Sequence, residues 1–101
     1  MTQKDAISVL RSFRTTELTD DVIARMLSEL EGRIEIELHG NATWTDRGTL
    51  SVKNPYDRVY WTFLVAMIDL YEGDFQSHSH TYAEFTRAFE AYANHCRNRA
   101  G

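Results

Sequence analysis

NPYDRVYWTFLVAMIDLYEGD, residues 54–74, decides how this chain folds. Within it Tyr56, Val59, Tyr60, Phe63, Leu64, Met67, Ile68 and Tyr71 recur at the spacing of one broad helical face. Asn54 reads as an N-cap and Pro55 as the first helical residue, where its missing N–H costs nothing. Gly73 reads as a left-handed stop. Trp61, Val65 and Leu70 lie off the main face, so the helix is apolar on nearly every side. Those three residues either complete the core or cover a neighbouring subunit.

A second helix, directly after Gly73, covers one flank. Phe75, His78, Tyr82, Phe85, Phe89, Tyr92 and Cys96 are spaced alternately three and four apart, a heptad seam along it. Asp74 is its candidate cap. So short a connection forces an antiparallel helical hairpin.

The N-terminal half supplies the other flank. Thr2, with Asp5 three residues on, opens a helix over Gln3 to Phe13 whose apolar stripe is Ala6, Val9, Leu10 and Phe13. Thr19 caps a second helix from Asp20 to about Leu38, with Asp20 and Asp21 well placed in its first turn. Leu18 before that cap is positioned to staple onto Ile23. Ile23, Met26, Leu27, Leu30 and Ile34 form its buried face, and Glu29, Glu31, Glu35 and Glu37 load the remainder with negative charge. Gly32 inside this helix costs about 1 kcal/mol relative to alanine, which points to a close backbone approach or a bend, or to a merely tolerated glycine. Residues 39–53, HGNATWTDRGTLSVK, carry no helical period. They predict a long irregular loop, with a short strand or extended arm over Thr49 to Lys53. The expectation is an all-α single domain over residues 1–101, a bundle of about four helices with that loop inserted.

Composition narrows the function. The net charge is −4, which argues against a polycation seeking nucleic acid. A helix-turn-helix reading fails for the same reason, because the reader helix would be the acidic one. Cys96 is the single cysteine, so no internal disulfide is available and a reducing compartment fits. The opening residues lack a basic region followed by an apolar run, so no signal peptide is expected, and the apolar run of helix 54–74 is too short for a membrane span.

No reactive constellation stands out. His78 and His80 are two apart with no third ligand nearby, and no CxxC or HExxH pattern occurs. His95 and Cys96 are helix neighbours pointing about 100° apart, a poor catalytic pair. No glycine-rich phosphate loop is present, and nothing in prospect raises the pKa of the helix-two glutamates. Catalytic residues, cofactors and metals are therefore all expected to be absent.

Three stretches in order carry a resemblance: MTQKDAISVLRSF, then MLSELEGRIEIEL at 26–38, then NPYDRVYWTFLVAMIDLYEGDF with Tyr82, Phe85, Phe89 and Tyr92 after it. Together they resemble the head–tail connector (adaptor, or head-completion) proteins of long-tailed bacteriophages, over most of the chain. The family's relatives often carry a proline before this segment and end in more aromatic tails, where this chain has LSVKNPYD and NHCRNRAG.

The resemblance implies a structural virion protein without catalysis or cofactor. It would form a ring with copies of itself, commonly dodecameric, at the head–tail junction. The ring would bind beneath the portal protein, meet a stopper or tail-completion protein, and continue the channel for double-stranded DNA without sequence-specific contact. Assembly would take place in the host cytoplasm, with no membrane involved. On that reading Trp44, Leu50, Val52, Trp61, Leu70, Arg97 and Arg99 are candidate contacts to neighbouring subunits or the portal. Loop 39–53 and the tail after Asn94 are arms that order on docking. Glu29, Glu31, Glu35 and Glu37 are either a channel lining that repels phosphate or a solvated outer face. Arg97 and Arg99 equally suit the C-terminal end of a helix dipole. The alternative function is a small helical interaction or regulatory module.

Overall fold

The computed structural model describes residues 1–100. The chain forms four helices: α1 (Gln3–Phe13), α2 (Asp20–Glu37), α3 (Arg58–Tyr71) and α4 (Phe75–Ala100), with no strand among the described residues. The molecule measures 41 × 27 × 21 Å.

Local chemistry sets the helix ends. Thr2 accepts a hydrogen bond from the Asp5 N–H while the Asp5 carboxylate accepts from the Thr2 N–H, a complete capping box. Thr19 accepts from Val22 N–H at the start of α2, and Asp74 from Ser77 N–H at the start of α4. Gly73, at φ 79°, ends α3 in the left-handed conformation that a Cβ would oppose.

The expected start of α3 is corrected. The helix begins at Arg58, not Pro55, and residues 53–56 form a turn closed by Tyr56 N–H to Lys53 O at 2.8 Å, with the Asn54–Pro55 peptide cis. The turn delivers the Tyr56 ring to α4, where it stacks on His95 with centroids 4.5 Å apart and tilts against Tyr92. A helix from Pro55 would aim that ring elsewhere.

α3 and α4 pack as the antiparallel hairpin, the most extensive helix pairing in the fold. α1 lies antiparallel along the N-terminal half of α2: Arg11 meets Asp20 at 2.7 Å, and Gln3 reaches Ser28 at 2.7 Å. The core joins Ala6, Ile7 and Leu10 of α1, the expected face of α2, and Val59, Tyr60, Leu64 and Ile68 of α3 with Phe85, Ala88 and Tyr92 of α4. Burying each large side chain contributes roughly 1.5–3 kcal/mol. The stripe expected on α1 is shifted: Val9 and Phe13 are exposed, and Ile7 is buried instead. The heptad seam holds in the middle of α4 but opens at its start, where Phe75 and Tyr82 are exposed. Over its described residues the tail after Asn94 is not a free arm, because α4 continues to Ala100.

Arg14, at the end of α1, ties that helix to the hairpin through Asp69 and, at 3.4 Å, Glu72. Arg14 donates to Asp69 at 2.6 Å, and Thr81 of α4 donates to the other Asp69 oxygen at 3.0 Å. Asp69 is 3% exposed, so this carboxylate, unmarked by the helical pattern, joins three helices.

Candidate functional site

The long connection between α2 and α3 is the most chemically dense part of the molecule. It is neither a strand nor a loose arm. Its contact with the N-terminus is a single antiparallel bridge, Thr2 to Thr49, supported by Gln3 N–H to Gly48 O and Leu50 N–H to Met1 O at 2.8 and 2.9 Å. Leu50 and Val52, expected to contact other subunits, are each 3% exposed and belong to the core; that expectation is corrected. A chain that runs across the bundle must bury some side chains to hold its place, and these two alternate inward from Ser51.

Glu31 is the anchor of this crossing. It is 2% exposed and accepts from Ser51 N–H at 2.6 Å and from the Tyr60 hydroxyl at 2.7 Å. The Tyr60 oxygen in turn accepts from Val52 N–H at 2.9 Å. Burial, together with the bond to Glu31, pushes the Tyr60 phenol well above the ordinary tyrosine pKa. A second cluster sits one helical turn on. Glu35 accepts from His39 Nδ1–H at 2.8 Å and from the Asn41 side chain. His39 Nε2 is hydrogen-bonded to the Tyr92 hydroxyl, 2.6 Å away on α4. Burial opposes ionisation of Glu35, but the bonds from Asn41 and His39 outweigh it and hold the group below the usual carboxylate range. Burial, then a bond to Cys96, raises the Tyr92 phenol.

Glu31 and Glu35 are therefore not channel-facing, which corrects half of the acidic set. The helical pattern sends both to water; the loop returns N–H and imidazole donors to meet them. Glu29 and Glu37 do remain exposed, Glu37 within 3.0 Å of Arg33.

Trp44 is half-buried and explains Gly32. A Cβ at Gly32 would lie 3.0 Å from the Trp44 ring, so the close approach expected of that glycine is real. The same contact occupies Trp44 within its own chain. Trp61 and Val65 are half-buried and line a small apolar notch of about 190 Å³ with Thr62, Thr81 and Glu84. Leu70 is exposed at the hairpin tip. Arg97 donates to Asn94, and neither Arg97 nor Arg99 meets a carboxylate among the described residues.

Two open features concentrate at the C-terminal end of α4. One is a basic, aromatic recess of about 520 Å³ among Lys53, Tyr56, Tyr92, His95 and Arg99. The other is a groove between the C-terminal halves of α2 and α4, where Arg33 lies 4.4 Å over the Phe89 ring. Neither was legible from periodicity, since each joins segments distant in the chain. His95 and Arg99 near the end of the sequence, with Lys53 in the loop, were the available signal.

The buried carboxylates spend their acceptors on holding the crossing loop. His78, half of the expected non-ligand pair, donates Nδ1–H to Ala66 O at 2.8 Å, while His80 is exposed near Glu84. Among the described residues, no cluster of three histidines, cysteines or acidic residues is placed to hold a metal, and no helix is long and apolar enough to cross a membrane. Comparison of the chain with protein-family models, with curated proteins and with solved structures finds no match.

Proposed function

We propose that this chain is a structural neck protein of a tailed bacteriophage, which assembles as a ring beneath the portal and continues the DNA channel toward a stopper or tail-completion protein. The observation that carries the reading is the division of labour in the side chains. The buried charged groups hold the fold together, whereas the uncommitted apolar and basic groups lie on the surface and at the two ends of an elongated helical molecule. That suits a part built to be held by neighbours. The ordered resemblance of its three helical stretches to connector proteins supports the same conclusion.

Within this reading Arg97 and Arg99, free of carboxylate partners among the described residues, grip an acidic surface on a neighbouring part of the neck, a second copy or the portal. Glu29 and Glu37 are the two exposed glutamates of α2 left to face passing DNA, where like charge keeps phosphate from sticking. Trp61 and Leu70 are surface contacts between subunits, and no reaction is catalysed.

The test is genetic and visual. In a phage encoding this chain, disruption of its gene should leave filled heads and finished tails unjoined under the electron microscope. Arg97→Glu with Arg99→Glu should reproduce that defect while the purified chain stays folded. Normal virions from the disrupted gene would refute the function. Normal virions from the double variant alone would refute the docking role of the two arginines. A particle reconstruction with Glu29 and Glu37 on the outer rim would remove them from the channel.

A further inference from the structure

The surface carries an anchor and a receptacle that one molecule cannot bring together. Val9 and Phe13 stand one turn apart on the outer side of α1, 43% and 56% exposed, although they continue an apolar stripe. The end of α1 lies at the start of α2 and the end of α3, as Arg11–Asp20 and Arg14–Asp69 require. The groove lies at the opposite end of α2. There α2 and the C-terminal half of α4 diverge and leave about 620 Å³ over a floor of Phe85, Phe89 and Ala93, with Arg33 and Arg97 at its margins.

Resting on the ring assembly proposed above, we propose that Val9 and Phe13 of one copy dock into the α2/α4 groove of the next copy. Two apolar side chains at i and i+4 are what a helix presents to an aromatic groove. Charge points to a second copy as the occupant. Glu17 and Asp21, exposed near the anchor and without an ion pair among the described residues, would meet Arg97 at the groove margin and Arg99 two residues on; of the groove's own acids, Glu37 is already paired with Arg33, which leaves Glu90. Because anchor and groove are different surfaces at opposite ends, the contact is head-to-tail, the kind that closes a ring or extends a filament.

Two variants separate the halves. Val9→Ser with Phe13→Ser removes the anchor, and both sites are exposed, so the fold is spared. Thr86→Arg, at an exposed position on the α4 wall, blocks the groove. Amide spectra of labelled wild-type chain, raised to about 1 mM, should shift with concentration around Phe13 and around Phe89 together. Each variant alone should associate at least about tenfold more weakly. Their mixture should form a one-to-one complex and go no further, because only one complementary pair of faces survives. Association of either variant as strong as wild type overturns the pairing, as does a wild-type spectrum unchanged up to that concentration. The neck reading fails separately: faces that pair as described in a chain whose gene is dispensable for virions would uphold the contact and remove the neck role. Wild-type rings built through other surfaces would do the reverse.

Discussion

Tyr60→Phe removes one oxygen from the interior and should loosen the crossing loop. The Tyr60 ring is fully buried, so the substitution leaves packing intact and deletes two hydrogen bonds. Val52 N–H loses its acceptor in a site 3% exposed, and Glu31 loses one of its two donors. An orphaned buried N–H costs about 1–3 kcal/mol, and a hydrogen bond to a carboxylate about 1.5–3 kcal/mol. The two losses share one hydroxyl and do not add fully, so about 3 kcal/mol is expected. For a domain of this size that lowers Tm by roughly 12–24 °C. Urea unfolding of wild type and variant gives the free energy. Hydrogen exchange at Ser51 and Val52 reports whether the loop is the part released. Glu31→Gln completes a double-mutant cycle, which should show coupling above about 1 kcal/mol with Tyr60→Phe. A Tyr60→Phe protein within about 0.5 kcal/mol of wild type, with Val52 exchange unchanged, would refute the idea that this hub holds the loop.

Other contacts give further expected outcomes. Asp69→Ala should cost roughly 1–3 kcal/mol, measurable by urea unfolding, because Arg14 keeps Glu72 at 3.4 Å and the Thr81 hydroxyl keeps Ser77 O at 3.0 Å. Gly32→Leu should push Trp44 out of its seat, giving red-shifted emission in a Trp61→Phe background. Glu35 has a lowered folded pKa, so its contribution is present above the ordinary value of 4.5 and is lost as pH falls through the lower folded value. Stability measured against pH should therefore decline on the acid side, and Glu35→Gln should flatten that decline. Tyr60 has a raised folded pKa, so its contribution is complete below the ordinary value of 10.0 and is lost at higher pH. Its phenolate absorbance should appear only with alkaline unfolding.

Much of this fold is legible in short-range chemistry. Thr2, Thr19, Gly73 and Asp74 mark helix ends because a cap needs only residues within a turn. The face of α2 from Ile23 to Ile34 is set by periodicity for the same reason. Long-range partners defeat such reasoning. Pro55 looks like a helix start until Tyr56 is needed by His95. Glu31 and Glu35 look solvated until the loop supplies donors from Ser51 and Asn41. On α1, Ile7 and Val9 compete as flanks of one stripe, and only the packing of α2 selects Ile7. The surface groove is the least legible feature, since it exists only where two helices far apart in the chain diverge.

The partners of Glu31 also set an order on synthesis. When only the first half of the chain has left the ribosome, α1 and α2 can pair, but Glu31 in the second half of α2 has no hydroxyl to receive it. Tyr60 comes 29 residues later. The second half of α2 therefore stays provisional until the polypeptide is more than half made, when Ser51 and then Tyr60 emerge to meet its buried carboxylate.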